Sequence, residues 1–91
     1  MIAAAADCAE NGAPPPRELT LYWRCKRFGA LPSPGGILDQ PAGLLARMET
    51  AGTVYETMRA FLAARSKTEW RLDNPDGWRV ICEVYRCRKT R

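Results

Sequence analysis

The sequence predicts a mainly α-helical protein: a small domain of two to three helices, with a Pro/Gly loop joining the first to the second. Three observations predict this. Residues 41–64 carry apolar side chains at steps of three and four through about six turns. Residues 17–28 repeat the pattern over a shorter span and run into a glycine. Asn74-Pro75-Asp76 then opens a further apolar stripe, with Pro at the position a helix tolerates best. The expected organisation is a mobile leader over 1–16, one helical domain over 17–88 and a basic tail over 89–91.

Residues 1–16, MIAAAADCAENGAPPP, are alanine-rich and then proline-rich and are expected to bury little. Asn11-Gly12 and Pro14-Pro15-Pro16 end any helical turn that forms there. The first helix is RELTLYWRCKRF, residues 17–28. Leu19, Tyr22, Trp23 and Lys26 form its stripe, and Leu21, Cys25 and Phe28 widen it. Gly29 suits the left-handed residue that closes a helix, and Lys26 and Arg27 suit the negative end of its dipole.

The loop LPSPGGILDQP, 31–41, follows. Pro34-Gly35 fits the centre of a type II turn, and Gly36 adds freedom. If Gln40 is the helix cap, Pro41 is the first helical residue. If Asp39 is the cap, its carboxylate must reach the Ala42 N–H, because Pro41 has none. Ile37 and Leu38 can fold back toward Leu44 or Leu45. The stretch lacks the spacing of a Walker loop or a dinucleotide loop, and Asp39 puts negative charge where an anion would sit. A turn and helix cap is therefore its expected role.

In the long helix, Leu44, Leu45, Met48, Ala51, Tyr55, Met58 and Leu62 form the stripe, broadened by Val54 and Phe61. Gly52 marks a bend or the close approach of another backbone. Ser66 to Glu69 has the S-x-x-E form of a capping box. The last helix spans about 75–88, with Trp78, Ile81, Cys82 and Tyr85 at helical spacing. A rival reading is α+β: Asn74-Pro75-Asp76-Gly77 is also a type I turn sequence, and a β-hairpin over 68–86 would use the β-branched and aromatic residues of WRVICEVY.

The 14 Lys and Arg exceed the 10 Asp and Glu to give a net charge of +4. Arg79, Arg86, Arg88, Lys89 and Arg91 against Glu83 alone place that excess in the last segment. Such a C-terminus is either a solvated end or a surface for nucleic acid or an acidic partner. Trp23, Arg24, Lys26 and Arg27 mix aromatic and basic residues, as does Tyr85-Arg86-Cys87-Arg88-Lys89, but no named nucleic-acid signature is present. Catalysis finds no set of residues: there is no His to act as base, and the acids are scattered. Cys8, Cys25, Cys82 and Cys87 lack metal-site spacing and are expected to be reduced thiols packed as small hydrophobes. No metal or cofactor is expected. MIAAAAD lacks the charged start and the length of a secretory signal, and no apolar run is long enough for a membrane span, so a cytoplasmic protein without membrane contact is expected.

LPSPGGILDQPAGLLARM resembles a pattern found in short proteins of tailed bacteriophages and prophages, in the tail-morphogenesis gene group near tail tube and tape-measure genes. There an aromatic-basic helix leads into L-P-x-P-G-G-x-x-D-Q and then into a longer helix. The likeness runs from about Tyr22 to Met48, and Pro34, Gly35, Gly36, Asp39 and Gln40 carry most of it. The Cys-bearing alanine leader and the basic tail lie outside the pattern. The resemblance implies a binding or assembly protein rather than an enzyme, in the bacterial host cytoplasm or the virion, with other phage proteins (tail components) as partners. The expected partner-binding residues are Trp23, Arg24, Arg27, Phe28, Trp70, Trp78, Arg86 and Arg88; the bland reading puts the aromatics among them in the core. The alternatives are an inhibitor or regulator of a host nucleic-acid machine, acting through the basic surfaces, and a direct nucleic-acid binder.

Overall fold

A computed structural model of the chain describes residues 1–29, 31 and 40–89. Among the described residues there are five helices and no strand: α1 (Ile2–Asn11), α2 (Arg17–Phe28), α3 (Leu44–Ala63), α4 (Lys67–Asp73) and α5 (Pro75–Lys89). The mainly helical expectation holds, but the helix count is five rather than two to three. The hairpin over 68–86 is overturned, since 75–89 is one continuous helix.

Helix α3 is the central element. Helices α1, α2 and α5 pack on it, and α5 also meets α1 and α4. The core gathers Ala5, Ala6 and Ala9 of α1, Leu19 of α2, Ala51, Val54 and Met58 of α3, and Ile81 and Val84 of α5. Among the described residues only Leu19, Met58, Ile81 and Val84 are large side chains withdrawn fully from water. At about 1.5–3 kcal/mol for each such burial, the core is thin, as a short chain requires.

The leader expectation is corrected here. Residues 2–11 form a helix, and Ala5 and Ala6 have no exposed surface at all. Small side chains do not prevent burial; they let one helix axis lie close to another, so α1 packs against α3 through alanines. The helix does stop where its sequence says it must. Gly12 takes φ 68° and donates its N–H to the Cys8 carbonyl at 3.1 Å. Arg88 ties the other end of the chain to this helix, with Nη2 2.8 Å from Asp7 Oδ1 and Nη1 3.5 Å from Glu10 Oε2.

Helix α2 has the expected bounds and ends at Gly29, φ 64°, whose N–H reaches the Cys25 carbonyl at 2.8 Å. Helix α3 starts later than expected. Pro41 is not its first residue and Gln40 is not its cap; the cap is Gly43, φ 72°. A turn intervenes, in which the Leu44 N–H bonds the Pro41 carbonyl at 3.1 Å, and the Gly43 carbonyl takes the first helical bond, from Arg47 at 3.0 Å. Pro34, Gly35, Gly36, Ile37, Leu38 and Asp39 lie outside the described residues, with the turn and cap roles expected of them.

The Ser66 half of the expected capping box is present: its Oγ accepts the Glu69 N–H at 3.2 Å and caps the start of α4. Asn74 bridges α4 and α5. Its N–H and its Nδ2 both donate to the Trp70 carbonyl, at 2.8 and 3.0 Å, and its own carbonyl accepts the Trp78 N–H at 2.9 Å. That arrangement selects helix over type I turn, because Pro75 then enters as the first helical residue and the chain never reverses. Lys89, assigned by sequence to a tail, is the last residue of α5.

Candidate partner surface on helix α2

Gly52 explains how α2 seats on α3. A Cβ at that position would stand 2.5–2.8 Å from three ring atoms of Tyr22. The glycine therefore receives an aromatic side chain, and neither a bend nor a second backbone is needed to explain it. One turn of α2 further on, Lys26 reaches Glu56 at 3.5 Å, and Trp23, next to Tyr22 in the chain, meets Tyr55 edge to face with centroids 5.0 Å apart. These contacts use one side of α2.

The opposite side faces water. Arg17, Leu21, Arg24 and Phe28 recur at steps of four, three and four and so share one ridge of the helix. Arg17 and Arg24 are exposed, Leu21 is partly buried and Phe28 is 70% exposed. Arg27 flanks the ridge, its guanidinium 5.4 Å from the centroid of the Phe28 ring. Trp23 sits at the edge, 36% exposed. Leu31 adds a further exposed apolar side chain, and with Tyr22, Cys25, Leu45 and Met48 it lines an open groove of about 470 Å³ between α2 and α3.

The other expected partner residues lie elsewhere and are already engaged. Trp70 and Trp78 are partly buried around Phe61, at centroid distances of 5.3 and 6.0 Å. Trp70 also lies over Gly77, where a Cβ would come within 2.8 Å of its ring. Arg71 covers Trp78 at 4.9 Å from the ring centroid. These aromatics close the corner between α3, α4 and α5, so for them the core reading holds better than the anchor reading. Arg86 is held by both carboxylate oxygens of Glu83, one turn away, with its Nε 3.0 Å from Oε2. That hydrogen-bonded pairing holds the Glu83 carboxyl below the ordinary carboxylate range. Arg88 is only 21% exposed in its clasp. Burial pushes its pKa down, but the hydrogen bonds and charges of Asp7 and Glu10 outweigh that and leave it raised. Arg79, Arg86 and Arg88 thus each have an acidic partner within the chain, at Asp76, at Glu83 and at Asp7 with Glu10, Lys89 is exposed, and Arg91 lies outside the described residues.

Trp23, Arg24, Arg27 and Phe28, the residues of α2 expected to meet a partner, are all exposed. Arg17 and Leu21 belong to the same face and were passed over, although the spacing of the helix places them there. Among the described residues no group of His, Cys, Asp and Glu could hold a metal ion. The four cysteines form no disulfide; Cys8 packs against the core as expected, whereas Cys82 is exposed and does not. No helix among the described residues is long and apolar enough to cross a membrane. No protein-family model matches the chain, and neither the curated proteins nor the solved structures contain a significant match.

Proposed function

We propose that this protein works by protein–protein contact in the assembly of a phage tail, as a structural or chaperone-like factor. The observation that carries the contact role is the outward face of α2, where Phe28 leaves 70% of its surface in water beside Arg24 and Arg27, which have no ion-pair partner among the described residues. A thin-cored protein gains nothing in stability from such a side chain, and exposed aromatic and Arg residues together are the composition of interface anchors. The assignment to tail assembly rests on the resemblance carried by Pro34, Gly35, Gly36, Asp39 and Gln40, which follow this helix. The nucleic-acid alternatives lose support at α5, because Arg86 and Arg88 are occupied by Glu83, Asp7 and Glu10.

The test is an affinity pull-down of the tagged protein from phage-infected or prophage-induced cells, with nuclease treatment in parallel. Recovery of tail tube or tape-measure protein that survives nuclease is the expected result. Recovery of host nucleic-acid enzymes, or a signal abolished by nuclease, overturns it.

A further inference from the structure

We propose that the outward face of α2 docks an acidic, amphipathic helix of the partner protein. This rests on the contact role above and adds the chemistry of the partner. The ridge of Arg17, Leu21, Arg24 and Phe28 extends about 16 Å along the helix, which is three turns. It alternates cation, aliphatic, cation, aromatic, and Arg27 adds a third guanidinium at its flank. The only acid in the helix, Glu18, lies off the ridge and partly buried. None of these three arginines has an ion-pair partner among the described residues. A helix laid along this ridge matches it in repeat, with Glu or Asp at the turns that meet arginines and aliphatic side chains at those that meet Leu21 and Phe28.

The same surface is a poor track for nucleic acid. Where α2 meets α3 the charge becomes mixed, with Glu56 on Lys26, Glu49 at the groove beside Tyr22 and Arg59 over Tyr55. A phosphodiester strand needs a continuous basic path, and this one ends at the flank of the helix. A protein helix needs only the width of the ridge.

The experiment uses the full chain and three labelled probes. One is a synthetic amphipathic peptide about three turns long, with Glu and Leu alternating on one face. The second carries Lys in place of Glu, and the third is single-stranded oligothymidylate. Affinity is read by fluorescence anisotropy, and the contact is located by amide chemical shifts. The acidic peptide should bind, shift the α2 amides, and weaken as salt rises. Arg24→Glu and Phe28→Ala should each weaken it about tenfold, and Leu72→Ala, an exposed position on α4, should leave it unchanged. Arg24 and Phe28 are both exposed, and far-UV circular dichroism checks that the variants stay folded. Should Arg24→Glu unfold, the amide map on the unaltered chain decides alone.

Three results overturn the proposal: no binding of the acidic peptide, shifts away from α2, or tighter binding of the Lys peptide or the oligothymidylate. The pull-down separates the two readings. Tail protein recovered while the acidic peptide fails to bind overturns the acidic helix and leaves the assembly role. Peptide binding on α2 without recovered tail protein supports the docking face and overturns the assembly role.

Discussion

Replacing Gly52 by Ala pits local helix propensity against tertiary packing. In an exposed helix interior that change stabilises by about 1 kcal/mol, because glycine loses the most backbone freedom on folding. Here the new methyl would stand 2.5, 2.6 and 2.8 Å from Tyr22 Cε1, Cζ and Cδ1. Ordinary carbon contacts lie about 1 Å further out. The ring is rigid, so it must swing away as a unit, and with it goes part of the seam between α2 and α3. Overpacking of this kind costs about 1–3 kcal/mol. Taking its middle value against the propensity gain leaves a net loss of about 1 kcal/mol, or about 4–8 °C in Tm for a domain of this size.

The decisive assay is a double-mutant cycle by urea unfolding. With Tyr22→Ala in place the obstacle is gone, so Gly52→Ala should then stabilise by about 1 kcal/mol. The sign reverses between the two backgrounds, and the coupling energy is about 2 kcal/mol, within the range seen for residues in contact. A Gly52→Ala protein that melts higher than the parent, or effects that simply add, would refute the packing of Tyr22 on Gly52 as the reason for the glycine.

Two further predictions concern the chain ends and caps. Deleting residues 1–11 should lower Tm by more than about 10 °C or abolish cooperative melting, because Ala5, Ala6 and Ala9 leave the core and Arg88 loses its carboxylates; differential scanning calorimetry reads this, and an unchanged melt would return the segment to a mobile leader. Ser66→Ala should cost about 1 kcal/mol through the lost cap on the Glu69 N–H; Ser66→Thr should restore most of it in chemical denaturation, and equal losses in both would argue against the cap.

The stop of α2 and the start signals of α4 and α5 could be read from the chain because each rests on residues within a turn or two of one another. Gly29 closes α2 through its own φ, Ser66 opens α4 through a bond to Glu69, and Pro75 opens α5 through its missing N–H. The outward face of α2 was partly readable for the same reason, since Arg24, Arg27 and Phe28 are placed by the period of one helix. Propensity and capping need no knowledge of the rest of the molecule.

Burial does need it. Nothing within MIAAAAD distinguishes an alanine that frays in water from one with no exposed surface; the difference is α3, which lies more than thirty residues away and offers Ala51 and Val54. Tyr22 reaches Gly52 across a similar gap, and Arg88 reaches Asp7 from 81 residues away. Arg88 looked available in the sequence because its acids on α1, Asp7 and Glu10, are remote in the chain, and Trp70 and Trp78 looked like anchors until Phe61 and Gly77 stood beside them. Charge and aromaticity belong to the residue, but whether they remain free for a partner depends on which distant side chains the fold brings against them.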